Sequence, residues 1–151
     1  MLNDQTPIPL PLHYLVDYDD ADGIDADQSP ADVGRFVIPF KCQVFMAGLI
    51  ITEVCAGSTT TPVVDFDLRP TIGSDTDRGA ADIAHFICGT TAAGKLLYDE
   101  VAKGAVMEVG EEVVVQLVTQ AVGGGGHFIP VLLVRYIPET PDNMSDMTET
   151  T

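Results

Sequence analysis

Apolar positions in this chain alternate with polar ones or gather in short β-branched runs, and clusters of Gly, Pro and Asp separate these runs. Val63 to Arg69 is the cleanest case. Val64, Phe66 and Leu68 alternate with Asp65, Asp67 and Arg69, which predicts a strand with one buried and one wet face. Gln43 to Val54 (QVFMAGLIITEV) is a longer apolar run, too β-branched and Gly-interrupted for a helix, and reads as a buried strand bent at Gly48. Ala56 to Thr61 (AGSTTT) reads as a turn cluster. Arg35 to Phe40 and Asp82 to Cys88 read as short strands, and His13 to Tyr18 as one more. Lys95 to Lys103 fits either a short helix or a strand followed by a turn.

Val106 to Val122 carries the strongest β pattern: VMEV, a turn at Gly110 and Glu111, then VVVQLVTQAV. Gly123 to Gly126 suits a hairpin tip, with His127 to Ile137 as the returning strand. Pro130 inside that strand predicts an edge or a bulge. The expected fold class is therefore all-β: an antiparallel, jelly-roll-like β-sandwich of seven or eight strands. Residues 1–34 are expected to form an extended acidic arm, 35–138 the sandwich, and 139–151 a flexible polar tail.

Composition narrows the partners. The net charge is -16, and its excess lies at the ends. Residues 1–34 hold eight Asp and no Lys or Arg, and Glu139, Asp142, Asp146 and Glu149 follow the last strand. Phosphate backbones and anionic lipid would repel such a chain, so neither nucleic acid nor membrane is an expected partner. An electropositive protein partner fits the charge, as does plain surface solubility. No apolar run is long enough for a membrane helix, and the N-terminus has no signal-peptide pattern, so synthesis in the cytoplasm is the expectation. Cys42, Cys55 and Cys88 are widely spaced and lie in or beside apolar runs. They predict inert buried thiols rather than a metal site or a disulfide framework.

The candidate sites are partial. Gly89 to Lys95 (GTTAAGK) matches the Gly-rich half of a phosphate-binding loop, but Leu96 stands where a magnesium-binding Ser or Thr is needed. The loop DYDDADGIDAD, from Asp17 to Asp27, offers Asp19, Asp20, Asp22 and Asp25 as a candidate calcium set. It fails the EF-hand register, and a solvated loop is the competing reading. No cofactor is expected, and no catalytic set is complete. Pro7, Pro9 and Pro11 alternate along an extended segment, so Pro7, Ile8, Pro9, Leu10, Leu12 and Tyr14 are candidate partner contacts.

The stretch from Phe36 to Tyr136 resembles the small β-sandwich structural proteins of tailed bacteriophages, in particular head decoration (cement) proteins. AGSTTTPVVDFDL (Ala56 to Leu68), VMEVGEEVVVQLV (Val106 to Val118) and the Gly-rich segment before PVLLVRY (Pro130 to Tyr136) carry the resemblance. It implies a non-enzymatic virion protein on the head surface, a homo-oligomer with a trimer favoured. Its partner would be the major capsid protein of the shell, which it would stabilise. The alternative is a carbohydrate- or receptor-binding sandwich of a virion fibre, weakened by the lack of Trp. An enzyme using the Gly89 to Lys95 loop is the third reading.

Overall fold

The computed structural model describes residues 9–12, 22–78, 82–99 and 105–137. These residues form two antiparallel sheets packed face to face, with no helix among them. The first sheet holds β1 (Pro9–Leu12), β2 (Ile24–Asp25), β4 (Cys42–Thr60), β7 (Lys95–Asp99), β8 (Val106–Met107) and β10 (Val122–Tyr136). The second holds β3 (Ala31–Val37), β5 (Val63–Arg69), β6 (Ala84–Ile87) and β9 (Glu112–Thr119). The strand order is β1-β10-β4-β7 in the first sheet, where β2 also pairs with β10 and β8 with β4. In the second it is β3-β9-β5-β6. The all-β antiparallel sandwich expected from the hydrophobic pattern is thus the observed architecture.

Alternation builds the core. Val64, Phe66 and Leu68 of β5 and Val113, Val115 and Leu117 of β9 face Leu49 and Ile51 of β4 and Phe128, Leu132 and Val134 of β10. Phe66 is the centre of an aromatic row. It stacks on Phe36 at 6.2 Å and meets Phe86 edge-on at 5.6 Å. In β4 the inward positions change parity between Val44 and Ala47, at a register shift opposite Leu133 and Val134. The irregularity expected at Gly48 therefore lies a few residues earlier.

Two local readings give way to tertiary packing. Ala56 to Thr60 is the end of β4 rather than a turn, and the chain changes sheets at Thr61 and Pro62. The tract Gly123 to Gly126 is not a hairpin tip but the start of β10, and Gln120 and Ala121 make the crossing between sheets. Glycine is needed there for steric reasons. A Cβ on Gly124 would overlap the Ala56 carbonyl oxygen, and one on Gly126 (φ 119°) would overlap the Val54 carbonyl. Register shifts on both sides of Gly124 and Gly125 mark where the two backbones close in. Pro130 is buried in β10 away from the register shifts, where among the described residues β10 pairs with β4 alone, so the expected edge is met locally. It falls between residues 127–128, which pair with β2, and 132–135, which pair with β1, so no described ladder there demands its missing N–H.

The sandwich also reaches further toward the N-terminus than the boundary at Arg35. β3 starts at Ala31, and Ile24 and Ala26 are 4% and 0% exposed. Burial of Ile24 and Ala26, and the Ala26 backbone hydrogen bonds with Gly126 and Ala121, tie this Asp-rich stretch to the sandwich. Lys95 to Asp99 resolves as a strand. The expectations for residues 13–21, 100–104 and 138–151 lie outside the described residues.

Gly124→Ala should destabilise the fold by more than about 2 kcal/mol, because the added methyl meets backbone rather than a movable side chain. Gly94→Ala places its methyl in open space and should cost only about 1 kcal/mol from its positive φ. Denaturant midpoints of the two variants compare them, and equal losses would contradict a close approach at Gly124.

Candidate functional site

Polar chemistry concentrates on the outer face of the second sheet. Asp67 and Arg69, expected on a wet face of β5, are both 5% exposed. The segment 70–78 folds back over them. Arg69 holds it: Nη1 donates to the Ser74 carbonyl at 2.7 Å, and Nε lies 2.6 Å from Asp77 Oδ1. Glu112 of β9 holds it too, its Oε1 accepting from the Gly73 amide at 2.8 Å. The Arg78 amide donates to the Leu68 carbonyl at 2.6 Å. Its guanidinium donates to Glu111 and to the Val106 carbonyl.

Between this segment and strands β3 and β9 lies a cavity of about 310 Å³. Asp32, Arg35, Ser74, Asp75 and Glu112 line it. The Glu112 side chain is 1% exposed, and its Oε2 receives no hydrogen bond from the protein. The Arg35 guanidinium is its ion-pair partner at 3.6 Å, beyond hydrogen-bond reach. Asp32 Oδ1 accepts from Gln116 Nε2 at 3.2 Å and lies 3.8 Å from Arg69 Nη2.

Beside the cavity, Asp65, Asp82 and His85 bring three potential ligand atoms within 4.8 Å of one another. His85 Nδ1 sits 2.6 Å from Asp65 Oδ1. Two carboxylates and an imidazole would suit zinc or manganese, but the same three groups also form a hydrogen-bonded pair beside a solvated acid. Burial pushes the Asp67 carboxyl up to about 7, helped by a hydrogen bond with Asp82 and the charges of Asp77, Asp82 and Asp65. Asp65 is raised by burial as well, against the lowering effect of His85.

The residues singled out from the sequence are placed elsewhere. Asp25 turns its Oδ1 to the Asp27 amide at 3.1 Å, and the Asp22 carbonyl accepts from Thr52 Oγ1 at 2.6 Å. Asp25 is the register partner of His127, whose Nδ1 lies 2.7 Å from Glu53 Oε2. Burial opposes a charge on this imidazole, but the Glu53 hydrogen bond and the carboxylates of Asp25, Glu53 and Asp22 outweigh it and raise its pKa. Histidine is thus the neighbour these acids serve in the described structure; Asp19 and Asp20 lie outside it. Pro9, Leu10 and Leu12 belong to β1, paired with Arg135, Val134 and Leu132 of the same chain, while Pro7, Ile8 and Tyr14 lie outside the described residues.

Lys95 opens a strand, where a phosphate-binding loop would open a helix. The amides of Thr91, Gly94 and Lys95 already donate to the carbonyls of Cys88, Ile51 and Ala92. All three cysteines are buried and free. Burial, then Glu111 and Glu108, push the Cys42 thiol up to about 12. Cys55 of β4 and Cys88, the residue after β6, interact through their thiols, which lowers Cys55 against the effect of burial and raises Cys88.

Compared with protein-family models, curated proteins and solved structures, the chain matches none.

Two outcomes follow from this chemistry. The folded pKa of Asp67 lies above its unfolded value of about 3.9, so its contribution to stability is present at low pH and is lost as pH rises from about 4 to about 7. Asp82, Asp77 and Asp65 oppose its charge, with Arg69 the nearby cation at 4.0 Å. Asp67→Asn should therefore melt higher than wild type at pH 8 and lose that advantage by pH 4; a gap independent of pH would contradict it. A chromogenic disulfide reagent at pH 8 should leave the folded protein unlabelled and titrate three thiols in denaturant, and fast labelling of the native state would show an exposed thiol.

Proposed function

We propose that this chain is a virion structural protein, a decoration or cement subunit that attaches to the outer head shell of a tailed phage. The observation that carries this reading is the strand order. The strands occupy eight columns, counting β1 with β2 and β7 with β8 as one column each. Numbered along the chain, the columns run 1-8-3-6 in one sheet and 2-7-4-5 in the other. Partners 1-8, 2-7, 3-6 and 4-5 are those of one long hairpin, and rolling it up adds the contacts 8-3 and 7-4. We read this order as that of a double-sheet jelly roll, an architecture used by viral capsid and lectin domains.

Surface chemistry supports attachment. Ile50 faces Leu96 across the β4–β7 ladder, and Tyr98 stands two residues along on the same face. They are 38%, 43% and 55% exposed, and half-buried Ile129 lies beside Ile50 on β10. This apolar strip on the outer face of the first sheet is the kind of surface that proteins use to meet partners. Arrayed copies on a lattice would turn a modest single contact into firm attachment.

Purified protein mixed with head shells of its own phage should co-sediment with them up to a fixed stoichiometry and appear as ordered surface density by electron cryomicroscopy. Leu96→Lys combined with Tyr98→Asp, both at exposed positions, should leave the fold intact and lower shell binding at least tenfold. Wild-type protein that stays in the supernatant would overturn the assignment.

A further inference from the structure

A strand at the edge of a sheet offers a row of backbone N–H and C=O groups to any strand that approaches. Among the described residues, most edge strands of this sandwich carry features that blunt such pairing. Pro9 and Pro11 remove amides from β1. β2 and β8 have two residues each. β3 is broken by a register shift between Asp32 and Gly34. β6 has four residues, and its outward His85 is held 2.6 Å from Asp65.

β7 lacks these features. It ends the path β1-β10-β4-β7, and all five of its residues pair with β4 without a register shift. It contains neither Pro nor Gly. Leu96 and Tyr98 stand on the outer face, and Leu97, on the opposite face, packs against the core. Lys95 and Asp99 lie at the two ends, equally far from Leu97 and opposite in sign.

The sequence Lys-Leu-Leu-Tyr-Asp is complementary to its own reverse. When a second copy runs antiparallel with Leu97 opposite Leu97, Lys95 meets Asp99 and Leu96 meets Tyr98, and twofold symmetry repeats both pairs. A shift of one residue sets a charge opposite Leu96 or Tyr98 and turns the apolar face over. A shift of two sets Lys95 or Asp99 opposite Leu97. Parallel pairing in register sets Lys95 against Lys95. One register alone gives every residue of the strand a matching partner.

We propose that two copies of this chain associate through β7, antiparallel about a twofold axis at Leu97, so that their first sheets join into one continuous sheet. The outer apolar strips, each with Ile50 and Ile129, then lie side by side on one face of the pair. The contact makes a dimer, where the resemblance to decoration proteins favoured a trimer. It forms in the free protein and needs no shell, so it stands or falls separately from attachment to a phage head. Five paired residues bury little area, so the association is of the weak, concentration-dependent kind.

Sedimentation equilibrium of the full chain should show monomer passing to dimer between about 10 µM and about 1 mM. Salt at about 0.15 M screens the general repulsion between two chains of charge -16. Lys95→Glu, at an exposed position, sets like charges together twice across the axis and should weaken association at least tenfold. Asp99→Lys should weaken it similarly, although it lowers the overall negative charge and general repulsion alone would predict tighter association. An equimolar mixture of the two variants again opposes unlike charges at both ends. It should form a heterodimer of wild-type strength, read by native mass spectrometry, a rescue that damage to either monomer would not produce. Should Asp99→Lys fail to fold, isotope-filtered NOEs in a mixture of labelled and unlabelled wild-type protein still decide, and should connect the Leu96 methyls of one copy to the Tyr98 ring of the other. A monomer throughout, a trimer, undiminished association of Lys95→Glu, folded variants that fail to rescue each other, or filtered contacts that omit Leu96 and Tyr98 would each overturn the proposal.

Discussion

The antiparallel ladder between β4 and β10 runs from Cys42 opposite Tyr136 to Thr60 opposite Val122, and every other strand of its sheet hydrogen-bonds to one of these two. β1 and β2 line up on the far side of β10, and β7 and β8 on the far side of β4. The ladder closes only because glycines stand where the backbones nearly touch. Gly57 faces Gly124; a Cβ on Gly57 would collide with the Thr60 carbonyl oxygen of its own strand and with the Val122 backbone, and one on Gly124 with the Ala56 carbonyl oxygen. The two segments lie more than sixty residues apart, so their meeting costs chain entropy that local contacts do not offset. The buried row of Phe128, Leu132 and Val134 against the second sheet supplies the offset.

The second sheet solves a different problem. Its outer face carries Asp67, Arg69 and Glu112, groups that are rarely buried without partners. The covering segment exists in this position because Arg69 and Glu112 bind its backbone, and they are buried because the segment covers them. Buried pairs of this kind add little net stability, and Glu112 Oε2 meets Arg35 only as an ion pair at 3.6 Å, beyond hydrogen-bond reach. On the jelly-roll reading, the covering segment is the tip of the rolled hairpin, which places the cavity on one sheet and the apolar strip of Ile50, Leu96 and Tyr98 on the other.

Period-two alternation and β-branched composition determined by themselves that this chain forms strands, that Val64, Phe66 and Leu68 face inward, and that Cys42, Cys55 and Cys88 are buried. These properties depend on near neighbours along the chain, so they were legible there. The tertiary structure alone decided which turns turn. AGSTTT and the four glycines look like loops locally, yet each lies in a strand because the other lies across the ladder. It alone buried Asp67 and Arg69, whose alternation marks a wet face until a distant segment folds over them. It likewise drew the candidate cavity from Asp32, Arg35, Asp75 and Glu112, residues with no common motif or spacing, because a binding site depends on distances in space that sequence separation does not encode.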